Sequence, residues 1–287
     1  MENFLLQGLM GITSAMYLWM VAAGLALAFG VIGILNVAHG SFYMLGAFLL
    51  FTFYHLLGMN FALSLIIAIV SMGIIGALME RFFLRRIYDQ PLEFQLILTF
   101  AFLLIFDGIA RLIWGTAFTL VRVPKFLDGR ISIMGSPFPL HSVFIICSGI
   151  GLFIAIWFVL GKTWWGKTIR AAASDREMAN AVGINIRTLF TTAFAFAAMV
   201  AALGGALSLP ATVVNPGLGG EIIIPAFVVT VVGTLGNMTG AFLGALIVGV
   251  AGAYSTYYVR PIELYAVYLI MAIILIVRPQ GIFGQTR

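Results

Sequence analysis

Apolar residues run along this chain in long blocks, and polar residues collect in the short gaps between them. The blocks cover residues 9–35, 41–57, 61–79, 94–114, 142–160, 189–209, 222–258 and 264–277. A helix needs about 20 residues, rising 1.5 Å each, to cross ~30 Å of hydrocarbon. Most blocks are about that long. The 222–258 block is too long for a single span, and the glycines from Gly233 to Gly240 divide it. The pattern predicts an all-α, polytopic integral membrane protein with about eight or nine transmembrane or re-entrant helices, eight if 222–235 dips in and returns. No gap is large enough for a soluble domain, so residues 1–287 read as one transmembrane domain.

Small residues recur every fourth position at Ala193, Ala197, Ala201 and Gly205, and again at Ala241, Ala245, Gly249 and Ala253. Such stripes let helix backbones approach closely in lipid, where apolar burial supplies no drive. They predict packing within the chain, with a subunit interface or a pore lining as the alternatives.

Composition strengthens this picture. Apolar residues make up 62% of the chain and charged residues 9%, against about 25% charged in soluble domains. Mean hydropathy is +1.13. The net charge of +5 does not point to nucleic acid, because the basic residues lie between apolar runs and form no stripe. They orient the chain instead. With the N-terminus outside and nine spans alternating, the inner side holds Arg81, Arg85, Arg86, Lys162, Lys167, Arg170, Arg176, Arg187, Arg278 and Arg287. The outer side holds Arg111, Arg122, Lys125, Arg130 and Arg260. Met1 to Gln7 has no basic residue, so the first run reads as a retained anchor. The single cysteine, Cys147, makes no intrachain disulfide.

Few residues carry candidate chemistry. Gly161 to Thr168 matches the phosphate-loop pattern G-x-x-x-x-G-K-[ST], but a membrane span precedes it where that motif needs a buried strand. Lys162, Lys167, Trp164 and Trp165 read as interfacial anchors. Asp107 lies mid-span, either on a transport route or paired with Arg111 four residues on. Glu80, beside Arg81, needs no special role. Asn36 and His39, followed by Gly40, fall between the first two runs, where they line a cavity, bond between helices or mark a break. No metal-ligand set accompanies His39, and no nucleophilic triad is legible, so neither a cofactor nor a catalytic site is expected.

The gap at 162–188 is longer and contains a helix-prone stretch, 168–182. Ser174 or Asp175 is suited to cap a helix that Gly183 ends, and Arg176 and Glu177 fall in its first turn. Met178, Ala179 and Val182 would form its apolar side, resting on lipid headgroups or docking a cytoplasmic partner.

Four stretches resemble one family. Gly24-Leu-Ala-Leu-Ala-Phe-Gly-Val-Ile-Gly-Ile-Leu-Asn36-Val-Ala-His39-Gly40-Ser-Phe-Tyr-Met-Leu-Gly46-Ala is similar to the pattern N-x-A-H-G-x-F-Y-M-x-G-A of the LivH-type permease subunits of branched-chain amino acid ABC transporters. Gly166 through Asp175 to Asn185 resembles the family's coupling loop, with Ala173-Ser-Asp in place of its usual Glu-Ala-Ala. Pro216-Gly-Leu-Gly-Gly220 precedes Ala226-Phe-Val-Val, Gly233-Thr-Leu-Gly236-Asn-Met-Thr-Gly240-Ala resembles the family's G-G-L-G-S-x-x-G-A, and Val277-Arg278-Pro-Gln-Gly281-Ile-Phe-Gly284 the C-terminal R-P-x-G-L-F-G. The resemblance implies a bacterial inner-membrane permease that forms a translocation pathway with a second, similar permease. Two cytoplasmic ATPases would drive it and a periplasmic binding protein would deliver substrate. Ser174 to Gly183 would couple to the ATPases. Relatives for urea or short amides, and, from other classes, a secondary transporter or channel or a membrane-embedded enzyme, stand as alternatives.

Overall fold

The structure, a computed structural model, describes residues 2–117, 123–133, 135–258 and 263–284. Arg122, Arg260 and Arg287 of the orientation argument lie outside them. The elements in chain order are α1 (Glu2–Ile32), α2 (His39–Leu50), α3 (Phe61–Phe82), α4 (Leu92–Trp114), β1 (Arg130–Ile133), β2 (Ser136–Pro139), α5 (Leu140–Lys162), α6 (Trp164–Ser174), α7 (Arg176–Ala181), α8 (Ile186–Ser208), α9 (Leu218–Val232), α10 (Met238–Tyr258) and α11 (Glu263–Val277). The described residues are all-α apart from the short antiparallel pair β1–β2, which pairs Arg130 with Pro139 and Ile131 with Phe138. That hairpin lies in the proline-bearing loop before α5, where no strand is expected from the sequence.

Among the described residues, six helices are long and apolar enough to cross a membrane, and α9 and α11 are shorter apolar helices. A π-helical turn, Phe51–Leu56, extends α2. Each apolar run of the sequence therefore corresponds to one helix, and the 222–258 run divides into α9 and α10 at the glycine turn.

Helix α1 is the central element, packed by α5, α8, α9 and α10. Small residues make its contacts possible. A Cβ at Gly11 would stand 2.8 Å from the Val250 Cα, and one at Gly249 would stand 2.6 Å from the Ala15 Cα. The α8 stripe is wholly buried, and Gly205 lies so close to the Tyr43 carbonyl that a Cβ would stand 1.8 Å from it. Both stripes thus serve packing within the chain. Trp19 fills the middle of α1, edge-on to Phe153 and Phe242, and donates to the Gly149 carbonyl at 3.2 Å.

Two helices begin inside this bundle. After α1 ends at Ile32, residues 33–38 turn back, and His39 starts α2 against Gly24, where a Cβ would stand 2.4 Å from His39 Nε2. Gly24 lies eight residues before the end of α1, roughly 12 Å along its axis. Helix α9 starts at the same place: a Cβ on Gly40 would stand 2.0 Å from the Gly219 carbonyl oxygen. From there α9 runs to the end of the bundle where Gly236 meets Gly30 of α1.

Candidate functional site

The N-terminal ends of α2 and α9 meet inside the bundle, and the sequence provides for it. Gly40 and Gly219 leave no space for side chains between the backbones. Gly217, at φ +112°, supplies the left-handed residue that turns the chain into α9. Residues 33–38 are non-helical, and irregular backbone at membrane depth is tolerated where it is enclosed by protein or lines a cavity. Thr99 of α4 holds that segment: its hydroxyl accepts from the Val37 amide at 3.2 Å and donates its own proton to the Gln95 carbonyl of α4 at 2.9 Å.

Around the junction stand polar groups without protein partners. Asn36, His39 and Ser41 are buried, and both amide atoms of Asn36, both ring nitrogens of His39 and the Ser41 hydroxyl lack hydrogen-bond partners. Each such group costs about 1–3 kcal/mol in a dry core, and groups of this kind are satisfied by water or by a solute. Asn36, His39 and Gly40 are therefore brought together. Asp107 is not: it lies eight residues along α4 from Thr99, about 12 Å, and pairs with Arg111 at 2.8 Å.

The second locus is the segment between α5 and α8. The helix-prone stretch 168–182 is two helices broken at Asp175, which is extended (φ −151°, ψ 108°) and whose side chain accepts from the Met178 amide at 2.9 Å. A capping aspartate competes with the helix passing through it. Ser174 ends α6, Glu177 lies in the first turn of α7, and Gly183 at φ +89° ends the turn. The expected common apolar side is not present. Met178 and Val182 are 62% and 70% exposed, whereas Ala179 is 3% exposed and belongs to the chain's own core. The six-residue α7 directs Ala179 inward and its neighbours outward. Arg176, Glu177, Asn180, Gly183, Asn185 and Arg187 line a groove of about 660 Å³ on this surface.

Arg176 ties the segment to the junction. Its guanidinium donates to the carbonyl of Ile32, the last residue of α1, and stands 5.1 Å above the Phe190 ring of α8. Beside it, Glu80 is fully buried. It accepts from Arg85 at 3.2 Å, from Thr191 at 2.5 Å and from Tyr88. Burial and the bond to Glu80 hold the Tyr88 phenol above its ordinary range, so it remains the donor. The sequence reading that gave Glu80 no role is corrected by this cluster. Arg85, five residues on, fits no i,i+4 pattern, and Thr191 lies on another helix.

The phosphate-loop match is a helix-to-helix corner. Gly161 and Lys162 end α5, and Thr163 caps α6 by accepting from the Gly166 amide at 3.1 Å. Trp165 donates to Thr192 at 3.0 Å.

The remaining motif residues gather at the same end of the bundle. Gly236 meets Gly30, the Ile282 amide donates to the Val232 carbonyl at 2.9 Å, and the Thr234 hydroxyl donates to the Gln280 carbonyl at 2.9 Å. The far end holds the start of α1, where Tyr254 donates to the Phe4 carbonyl at 3.0 Å, and the end of α4, where Trp114 donates to Thr52 at 2.8 Å. No three His, Cys, Asp or Glu side chains gather for a metal among the described residues.

A family model described as "Branched-chain amino acid transport system / permease component" matches residues 8–278. The chain is 25% identical to the high-affinity branched-chain amino acid transport system permease protein BraD of Pseudomonas aeruginosa, over 99% of this chain and 96% of that one. It is 27% identical to the permease protein LivH of Salmonella typhimurium, over 98% and 96%. It is 28% identical to a probable LivH of Methanocaldococcus jannaschii, over 99% and 93%. With its helices, buried junction and interlocked motifs, the chain belongs to the permease component family of branched-chain amino acid transport systems.

Proposed function

We propose that this membrane permease is the translocation subunit of an ATP-driven importer for branched-chain amino acids. It forms the pathway with a second permease, is driven by two cytoplasmic ATPases and receives substrate from a periplasmic binding protein. The observation that carries the reading is the direct link from α7 through Arg176 to Ile32, where the chain turns toward Asn36, His39 and the Gly40–Gly219 contact. An ATPase docked on Met178 and Val182, both exposed, would move α7. Arg176 would pass that movement to the end of α1 and residues 33–38, and the half-helices would part. A ligand or partner shifts such an equilibrium only through contacts that differ between the states, and the closed Gly40–Gly219 contact is one that an open state would lack.

Orientation follows from charge. Arg81, Arg85, Arg86, Lys162, Lys167, Arg170, Arg176, Arg187 and Arg278 belong to the end that holds α6 and α7, which supports that end as cytoplasmic, with the N-terminus outside, in a bacterial inner membrane.

The test has two parts. Cysteines at Ser174 or Asn185, in a Cys147→Ser chain, should resist impermeant thiol reagents in intact cells and react in inverted vesicles. Cells carrying the chain with its ATPases and binding protein should take up labelled L-leucine in preference to urea and acetamide. Labelling from outside would refute the orientation, and preferential uptake of urea or acetamide would refute the substrate.

A further inference from the structure

Helices α3 and α8 pack closely, with a Cβ at Gly76 standing 2.7 Å from the Ala198 Cβ. Where α3 ends and α8 begins, a recess of about 330 Å³ opens at the surface. Arg81, Arg85 and Arg187 line it, with Thr188, Thr191 and Thr192. Among the described residues, no acidic side chain lines it. Glu80, which pairs with Arg85, is fully buried and lies outside the lining. The ion pairs among the described residues are Glu80–Arg85 and Asp107–Arg111, so Arg81 and Arg187 bring charges that no carboxylate there neutralises. The recess also meets the first turn of α8, a 23-residue helix, whose N-terminal end favours an anion.

Arg81 belongs at the same time to an outward stripe of α3. Val70, Ile74 and Leu78 precede it at helical spacing, and all three are exposed. In a chain that spans a membrane, an exposed apolar stripe of this kind lies against acyl chains. The basic recess thus stands at the end of a hydrocarbon-facing stripe, at the level of phospholipid headgroups. Trp165 marks that level: it donates to Thr192 of the recess at 3.0 Å, and tryptophans collect at membrane interfaces.

We propose that this recess binds the phosphate of an anionic phospholipid whose acyl chain lies along Val70, Ile74 and Leu78. A phosphodiester accepts charge-assisted bonds from guanidinium groups, and basic pockets at helix ends recognise anionic headgroups. A choline headgroup would bring a further cation beside three arginines with no carboxylate to meet it. Free phosphate would satisfy the arginines and leave the apolar stripe unused. The bound lipid would join the end of α3 to the start of α8. The inference rests on the membrane-spanning reading and is independent of the substrate and the ATPases.

The test uses the full chain assembled with its ATPases, stripped of lipid in mild detergent. It is titrated with phosphatidylglycerol or phosphatidylcholine of the same acyl chains, and bound lipid is counted by native mass spectrometry. Phosphatidylglycerol should bind at least about tenfold more tightly, the scale that two basic side chains set at a membrane surface. Arg81→Gln with Arg187→Gln should remove that preference. Lys162→Gln with Arg170→Gln takes the same charge from outside the recess and should keep it. Equal loss in the two pairs would assign the binding to diffuse surface charge and overturn the proposal. A preference that survives Arg81→Gln with Arg187→Gln would overturn it as well.

A second arm keeps both arginines. In the full chain carrying Cys147→Ser and Thr188→Cys, phosphatidylglycerol should slow the uncharged reagent N-ethylmaleimide about tenfold relative to phosphatidylcholine. Ala171→Cys, at an exposed position of α6 outside the recess, should react at the same rate with either lipid. Equal protection of Thr188→Cys by millimolar inorganic phosphate would assign the recess to a free anion. Protection by added ATPases and none by lipid would assign it to protein docking. Either result would overturn the proposal.

Discussion

Arg176 of α7 donates a hydrogen bond to the carbonyl of Ile32, the final residue of α1, while its guanidinium lies over Phe190 of α8. One side chain thus joins the connecting segment to two helices, at the point where the chain turns back toward the buried junction. Helix C-termini present carbonyls without partners, and a cation there is favourable. Arg176→Lys keeps the charge but loses the planar fork that donates and stacks together. A charge-assisted bond of about 1.5–3 kcal/mol corresponds to roughly tenfold or more in uptake. Substrate uptake should fall by that factor while the ATPase still co-purifies. Unchanged uptake would remove Arg176 from the link.

The junction itself should tolerate no added atoms. A methyl at Gly40 would stand 2.0 Å from the Gly219 carbonyl oxygen, and one at Gly219 would stand 3.0 Å from the Ser41 backbone. Gly40→Ala should therefore abolish uptake or stable membrane accumulation, and Gly219→Ala should give a partial loss. The two are compared by uptake per amount of protein in the membrane. Equal, near-normal activity would mean that the helix ends are held apart in the working protein.

The short helix α7 separates two roles that its sequence merges. Met178 and Val182 are exposed and Ala179 is buried. Met178→Asp with Val182→Asp should leave membrane insertion and thermal stability intact and reduce ATPase co-purification. Ala179→Arg should instead destabilise the permease, since a buried unpaired charge costs several kcal/mol. Gly183→Val should also destabilise the turn, because a β-branched residue is strained at φ +89°. A normal melting temperature for Ala179→Arg with lost co-purification would place Ala179 on the docking surface after all.

Glu80 bonds to Arg85, Tyr88 and Thr191 from within the core. Glu80→Ala leaves the Tyr88 hydroxyl without its acceptor and takes the carboxylate from Arg85, which keeps Thr191 and the Arg187 carbonyl, and should cost roughly 2 kcal/mol, seen as a lowered melting temperature in detergent. Tyr88→Phe removes a single bond and should cost less. Equal melting temperatures for all three proteins would show that the cluster does not hold α3 to α8.

The helices were legible because an apolar run of span length has few alternatives in lipid. The division of residues 222–258 followed from its glycines, and the i,i+4 pair Asp107–Arg111 from spacing alone. The junction was only half legible. Asn36, His39 and Gly40 stood out as polar or small residues between apolar runs, but nothing in the sequence paired them with Gly24, Thr99 or Gly219, which lie in other helices. Glu80 was misread because its donors fall off the helical spacing: Arg85 and Tyr88 lie in the turn after α3, and Thr191 on α8. On α7 the Asp175 cap and the Gly183 stop were legible, but Met178, Ala179 and Val182 were assigned to one apolar side, and only Ala179 packs inward.

In the proposed importer, ATP-driven closure relayed through α7 moves substrate past the Gly40–Gly219 contact. The most direct measurement is L-leucine accumulation in proteoliposomes containing this chain, its partner permease, the ATPases and the binding protein, with ATP supplied on the α7 side. The account predicts accumulation above the outside concentration with ATP present, none without it, and loss of accumulation with continued ATP hydrolysis in Arg176→Ala. Equilibration of leucine without ATP, or accumulation driven by an ion gradient alone, would contradict it.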